Sequence, residues 1–319
     1  MSGVKLGWLS KDNRSKESNE IDEQIVGAMP KFRIIGDSNE SLKKILLTDF
    51  WKHVATVAAL GFAFPRIHQL TGSCVGAGGG NMLFTLGAIE VIRLGDLEQI
   101  AIPFWPYTYG KSRQIGGMRG RGEGSFGSAY AKAAQEFGFI DARHPGLPSF
   151  ANNDGIIYSE AIEMQWSDGA TAPQSVVDFA KKHLVKSVSQ CKTADDVRQS
   201  IQNGYPCTIA YSGYIDAGQP QVRGTGDEAV LMGDVNRSGG HQTTIQGFWE
   251  HPTFGEIFLY CNQWPKACYP TDPAGGPDCS TWITKRRMQA ICDEGEAFAF
   301  SQFDGFPAQE IDKSLFKIM

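Results

Sequence analysis

The sequence predicts an α+β fold in which helices lead and strands follow. Two observations carry that expectation. Up to about residue 204, apolar residues recur at helical spacing in several segments. Beyond it, the short runs PCTIAYS, HQTTIQGFW, GEIFLYCN and GEAFAFS are rich in β-branched and aromatic residues and are separated by turns. No internal repeat interrupts this order, which fits one α+β domain with a cleft between two halves.

Taken in chain order, residues 1–40 read as a polar N-terminal arm. The stretch SKDNRSKESNEIDEQ has no apolar period and is expected to be loop or disordered. Residues 41–319 form the domain proper. Leu42, Ile45, Leu46, Phe50 and Val54 recur at helical spacing, with Asn39 or Ser41 as the cap and Gly61 and Pro65 as the break. From Asn81, Leu83, Leu86, Ile89 and Ile92 fit a helix ending near Gly95. Gly76, Gly78, Gly79 and Gly80 lower helical propensity just before it. GGMRGRGEG, residues 116–124, reads as a flexible, mildly basic loop. SFGSAYAKAAQEFGF reads as a short helix closed by Gly138. APQSVVDFAKKHLVKSVSQ is a further helical candidate. TADDVRQSIQNG is a cleaner one, with Thr193 and Asp196 as a capping box and Asn203–Gly204 as its end.

Composition narrows the function. The chain has 319 residues, 41% of them hydrophobic and 20% charged, enough for a substantial core. Its net charge of -5 argues against a nucleic-acid partner, because phosphate binding needs a basic face. No apolar run approaches the ~20 residues that cross a bilayer. The first 25 residues lack the apolar core of a signal peptide, so a cytoplasmic setting or a place in a viral particle is expected. The glycine runs do not make a nucleotide site. VGAGGGN is not G-x-G-x-x-G, and GGMRGRGEG lacks the Lys-Ser/Thr of a phosphate loop. The seven cysteines contain no CxxC pair, which leaves zinc unsupported. Cys207 and Cys261 sit in apolar runs and read as buried residues. Cys268 and Cys279 bracket the loop YPTDPAGGPD, where a disulfide or a metal clip is open.

Three segments carry chemistry together. TGSCVG sets Cys74 between a glycine turn and a helix start. GGHQTTIQGF sets His241 behind a glycine pair at the start of a strand. YCNQW sets Asn262 and Trp264 at the end of the next strand. A reactive cysteine must be a thiolate, and a helix N-terminus and a neighbouring imidazolium both stabilise that anion. Histidine takes the thiol proton and returns it to the leaving amine, and an amide oxygen can orient the ring. A hairpin through HPTFGE brings His241 and Asn262 together, and 167 residues then separate Cys74 from His241. His53, His68, His144, His183 and His251 lack such a context and read as surface or packing residues.

These segments, in this order, resemble the papain-like cysteine peptidases in the form found in bacteria and their phages. TGSCVG is similar to their nucleophile segment. IPFWPYTYGKSR, the glycine-rich loop and SFGSAYAKAAQEFGF resemble their tyrosine-arginine stretch, turn and helix. DVRQSIQNGYPCTIAYS, GGHQTTIQGFW and YCNQW are similar to the segments around the histidine and asparagine. The resemblance runs from about residue 60 to 305. It implies a two-lobed fold, with a helical lobe at about 60–190 carrying the nucleophile and a barrel-like β lobe at about 200–305 carrying histidine and asparagine. It implies Cys74 as nucleophile, His241 as base and acid, Asn262 as orienter and Trp264 as shield. The activity it implies is hydrolysis of peptide bonds in a peptide or protein substrate, with no cofactor and no metal.

The resemblance also implies a glutamine that helps hold the oxyanion, six residues before the cysteine. Gln69 is the candidate at five, and His68 occupies the sixth position. Other departures are GAGGG after the nucleophile, Pro265 after the tryptophan, and insertions at 110–124 and 212–240 expected to form lids or binding surfaces. These departures leave a second reading, a papain-like structural subunit of a larger assembly whose N-terminal arm holds a partner. The arm is alternatively a propeptide lying in the cleft.

Overall fold

The computed structural model describes residues 6–36, 42–57, 67–94, 102–151, 155–167, 172–235, 238–264, 268–302 and 304–309. The expected cap at Asn39 or Ser41, the helix break at Gly61 and Pro65, the helix end near Gly95 and the departure at Pro265 lie outside these residues. The N-terminal elements are α1 (Lys16–Ala28), β1 (Lys44–Leu46), α2 (Thr48–Val57) and β2 (Ile67–His68). The helical part follows with α3 (Cys74–Leu94), α4 (Trp105–Ile115), α5 (Gly127–Glu136), β3 (Ile156–Ile157), α6 (Glu160–Ser167) and α7 (Gln174–Ala180). The sheet part comprises β4 (Ser187–Gln190), α8 (Ala194–Gln202), β5 (Cys207–Tyr211), β6 (Gln221–Arg223), β7 (Val230–Met232), β8 (His241–His251), β9 (Gly255–Cys261), β10 (Ser280–Thr284), α9 (Lys285–Asp293) and β11 (Glu296–Ser301).

One mixed, mainly antiparallel sheet orders its strands β4-β11-β5-β8-β9-β10-β7-β6, with β1 added on β8. Its centre is the hairpin β8–β9, in which Thr244 faces Cys261 and His251 faces Gly255. The expected α+β architecture is therefore the observed one.

The long helix α3 lies on β8, and its glycines explain the contact. A Cβ on Gly78 would sit 3.1 Å from the backbone of Thr243, and one on Gly79 would sit 2.0 Å from the Tyr130 ring. Gly76 and Gly80 meet Tyr109 and Trp105 in the same way. The run GAGGG, unfavourable for a helix by propensity, is what lets the helix touch a strand and three aromatic rings at once. By length and composition α3 could cross a membrane, but 83% of that stretch is buried inside the fold.

Three local expectations are corrected. The polar stretch before residue 28 is not loop. Lys16–Ala28 is helical, and Ser15 caps it by accepting from the backbone of Ser18. The apolar spacing from Leu42 to Val54 spans two elements. Lys44–Leu46 pairs as a strand with Gly247–Trp249, and the helix begins only at Thr48. The helical candidate 172–190 ends at Ala180, and Ser187–Gln190 pairs with β11. The capping box at Thr193 and Asp196 is present. Cys207 and Cys261 are buried as expected. Cys268 and Cys279 form a disulfide.

Candidate active site

Ser73 and Cys74 open α3, and the next turn begins with Ala77 N–H on the Ser73 carbonyl. The Cys74 sulfur therefore sits at the positive end of a long helix. Across from it, β8 starts at His241, and the Gln242 N–H points to the Cys74 Sγ at 3.4 Å. His241 Nε2 lies 2.9 Å from the Asn262 Oδ1. The orientation of that amide follows from its other partners. Gln263 N–H donates to the same Oδ1, and Asn262 Nδ2 donates to the Tyr269 hydroxyl, each at 2.9 Å. Oδ1 is thus the acceptor and Nε2 the donor, which leaves Nδ1 as the basic nitrogen of the neutral ring. Nδ1 is buried and has no hydrogen-bond partner. Tyr269 passes the chain on to the Ile215 carbonyl at 3.0 Å. Trp264 covers the imidazole, with ring centroids 5.1 Å apart.

Gln69 is in the loop before α3, fully buried. Its Nε2 donates to Thr71 O at 2.9 Å, and its own N–H donates to Gln263 O. The structure thus places Gln69 in the loop before Cys74 with its amide taken up by that loop. Gln263 lies just across from it and donates to the carbonyls of Cys74 and Gln242.

Two carboxylates that the sequence does not announce hold the same loop. Glu163 of α6 accepts from the N–H groups of Leu70 and Thr71 and from the hydroxyls of Thr71 and Ser73, at 2.7–3.3 Å. Glu123, from the 110–124 insertion, accepts from Gly72 N–H at 2.6 Å. Burial pushes the Glu163 carboxyl up to about 7, against the pull of its donors. Glu163→Ala leaves four buried donors without an acceptor. It is expected to cost about 2–4 kcal/mol in denaturant unfolding, and an unchanged midpoint would remove this role. Because the folded carboxyl titrates above its ordinary value, its contribution is full on the acid side and fades as pH rises through 7. Glu163→Gln should therefore gain on wild type as pH rises from 4.5 to 7.

The site is closed by the chain's own N-terminal segment. Leu9 N–H donates to Ser125 O and Ser125 N–H to Gly7 O, both at 2.9 Å, so residues 7–9 run beside Ser125 as a short parallel bridge. A Cβ on Gly7 would lie 1.7 Å from Gly72 O, and one on Gly240 would lie 2.0 Å from Trp8 O. Residues 7 and 8 are thus wedged between the loop before Cys74 and the start of β8. Their backbone N–H groups favour the thiolate form of Cys74. Cys74 and His241 are both fully buried. Burial pushes the thiol up to about 11 and the imidazole down to about 4, so at neutral pH both are uncharged rather than an ion pair.

The segment is anchored by a buried ion triad. Arg14 bridges Asp22 of α1 and Glu296 of β11, with every one of the three side chains at least 96% buried. The Trp8 indole N–H donates to Glu296 at 2.7 Å. The 212–240 insertion forms β6 and β7 and flanks an open cavity of about 820 Å³ lined by Asp216, Arg223 and Asp234 among others. Among the described residues no cluster of His, Cys, Asp and Glu is placed to hold a metal.

A long helix with cysteine at its first turn, packed on a sheet with histidine at the start of one strand and asparagine just past the end of the next, has the papain-like cysteine-protease fold. Solved structures similar to this chain include xylellain, a cysteine protease from Xylella fastidiosa. It has a TM-score of 0.53 and 12% identity over 95% of this chain and 99% of that one. Procathepsin B S9 from Trypanosoma congolense is similar at 0.52 and 11% over 93% and 86%. Digestive procathepsin L 3 of the Tenebrio molitor larval midgut is similar at 0.50 and 8% over 89% and 79%. No protein-family model and no curated protein sequence matches the chain.

Proposed function

We propose that the protein is a cysteine peptidase held latent by its own N-terminal segment, with Cys74 as nucleophile, His241 as base and acid, and Asn262 as the orienting group. The observation that carries this reading is the chain His241–Asn262–Tyr269–Ile215 beside the first turn of α3, which leaves the basic nitrogen of the ring without a partner. A structural histidine has no need of a buried, unpartnered Nδ1.

With the segment displaced, the Cys74 thiol gives its proton to His241 Nδ1, and the sulfur bonds to the substrate carbonyl carbon. The C–N bond then breaks, and the imidazolium returns the proton to the leaving amine. Water attacks the thioester carbon, His241 takes its proton, and the acid leaves with Cys74 restored as thiol. The Cys74 backbone N–H and the Gln69 amide are the oxyanion donors in this scheme, so Gln69 must release Thr71 O. Trp264 keeps water from the His241–Asn262 bond. Two of the similar structures, procathepsin B and procathepsin L 3, are proforms, which supports reading residues 6–36 as a blocking segment.

The engagement of Gln69 with Thr71 favours a second reading, an inactive structural subunit. Storage of the purified chain separates the two. The peptidase reading expects slow self-cleavage within residues 30–60, followed by hydrolysis of fluorogenic peptide amides, with both lost in Cys74→Ala. Turnover retained in Cys74→Ala, or none under any condition, would overturn it.

A further inference from the structure

Both ends of the Cys268–Cys279 disulfide bear on the residue that orients the imidazole. The Cys279 carbonyl accepts the Asn262 backbone N–H at 2.9 Å. Next to Cys268, the Tyr269 hydroxyl accepts from the Asn262 side-chain amide at 2.9 Å and donates to Ile215 O at 3.0 Å. The Cys279 sulfur also lies 3.7 Å from the carbonyl oxygen of Trp264, whose ring covers His241. The backbone and the side chain of Asn262 are thus held from the two halves of one cross-link.

The backbone at Cys279 shows that this bracket is enforced. Among the described residues, Cys279 is the one non-glycine residue with left-handed backbone, at φ 64°. That region is disfavoured for a residue with a Cβ, and it persists where the surroundings hold it. What holds Cys279 is the bond to Cys268, the Asn262 N–H and the start of β10, where Ser280 pairs with Cys261. The middle of the loop is pinned separately. Asp272 accepts from the N–H groups of Leu231, Ala274 and Gly276 and from the Trp282 indole, at 2.8–3.2 Å.

We propose that the Cys268–Cys279 disulfide is a redox lock on Asn262, with Tyr269 as the positioning residue through which it acts. This rests on the peptidase reading above and gives that site a regulation. Closed, the lock keeps the Asn262 oxygen on His241 Nε2 and Trp264 over the ring. A dithiol opens it. One thiolate of the reductant attacks a sulfur of the pair, and its second thiol then displaces the mixed disulfide. Two electrons and two protons pass to the protein, leaving Cys268 and Cys279 as thiols and the reductant as a cyclic disulfide. Cys279 then loses the bond that holds its left-handed backbone, and its carbonyl turns from the Asn262 N–H. Asp272 keeps the middle of the loop on the sheet, so the change is confined to the loop ends and the Asn262 they hold. Cys74 takes no part in the step, because it is a free thiol outside the pair. A reductant thus acts on the site in two opposite senses, since it protects the nucleophile from oxidation and disarms the base.

The test uses the full chain carrying Trp8→Ala and Arg14→Ala, which uncovers the cleft. It is treated with excess dithiothreitol without oxygen, and peptide mass spectrometry after iodoacetamide reads whether Cys268 and Cys279 are joined. As the pair opens, kcat on a fluorogenic peptide amide should fall by about 10–100-fold with KM nearly unchanged, the size of a small misplacement of the base. Cys268→Ser together with Cys279→Ser should show the low kcat from the start and no response to dithiothreitol. Tyr269→Phe keeps the cross-link and removes the hydroxyl, and should lower kcat by about 5–10-fold, the worth of one hydrogen bond. A merely structural bridge would move the unfolding midpoint and leave the split between kcat and KM alone. Circular dichroism checks that each variant is folded. A pair that stays joined in dithiothreitol, or one that opens with kcat unchanged, would overturn the proposal. Nuclear magnetic resonance of isotope-labelled histidine in the chain with Cys74→Ala added reads the lock without chemistry. The His241 Nε2 proton should exchange with water about 10-fold faster in the reduced chain and in Tyr269→Phe. That change supports the lock even if no turnover is found and the peptidase reading falls, and its absence sinks the lock even where turnover is found.

Discussion

Replacing Trp8 and Arg14 by alanine in the full-length chain is expected to raise iodoacetamide labelling of Cys74 about 100-fold at neutral pH. The intact chain holds the thiol at about 11, whereas an exposed thiol sits near 9, so uncovering alone restores two decades of thiolate. The direction with pH follows. Labelling of the intact chain should begin only in strongly alkaline solution, and the variant's curve should shift to lower pH. It moves lower still if the imidazole, freed from burial, rises from about 4 and pairs with the sulfur as a cation. Peptide mass spectrometry reads all five free cysteines at once, and the buried Cys191, Cys207, Cys261 and Cys292 serve as internal controls. A Cys74 profile that is the same in both chains would show that the segment does not govern the sulfur.

The second large effect lies in the helix that Cys74 opens. Gly79→Ala should destabilise the protein by about 3 kcal/mol in denaturant unfolding, because its Cβ would fall inside the buried Tyr130 ring. Gly87→Ala, in the same helix with no atom within 4 Å of its Cβ, should do the opposite and stabilise by about 1 kcal/mol. The pair separates the two roles of glycine in one element, close approach and conformational freedom. Equal changes in both would mean that the packing on Tyr130 carries no weight.

The contrast between these glycines also shows what the sequence could say. Propensity counts Gly76 to Gly80 against a helix. The gain they bring comes from Tyr109, Trp105, Tyr130 and the Thr243 backbone, none of which is near them in the chain. Features settled within a few residues were legible. The capping box of α8 and the β8–β9 hairpin are local, and so is the order of the segments holding Cys74, His241 and Asn262. Features settled by distant partners were not. Lys44–Leu46 is a strand because β8 offers it an edge, although its apolar spacing also suits the helix that follows. Glu163 stands in an unremarkable helix, and its partners are 90–93 residues away. Arg14 reads as one more charge in a polar stretch, and its partner Glu296 is 282 residues on. The neutral state of the cysteine and histidine was likewise invisible, since it comes from burial by elements distant in the chain, against which the Gly7 and Trp8 N–H groups pull the thiol the other way.

The wedge of Gly7 and Trp8 between Gly72 and Gly240 has a kinetic consequence. On the peptidase reading proposed above, the segment is tethered to the domain it blocks, so it competes with substrate at a fixed local concentration, commonly millimolar for short tethers, however dilute the protein becomes. Dilution cannot relieve such a block, and a peptide at ordinary micromolar levels loses the competition. Onset of activity is then a first-order event set by how often the segment lifts, unless an already opened molecule cuts its neighbour. In that case the time course accelerates and steepens with protein concentration. The shape of that time course tells whether a population of these molecules awakens one by one or as a chain reaction.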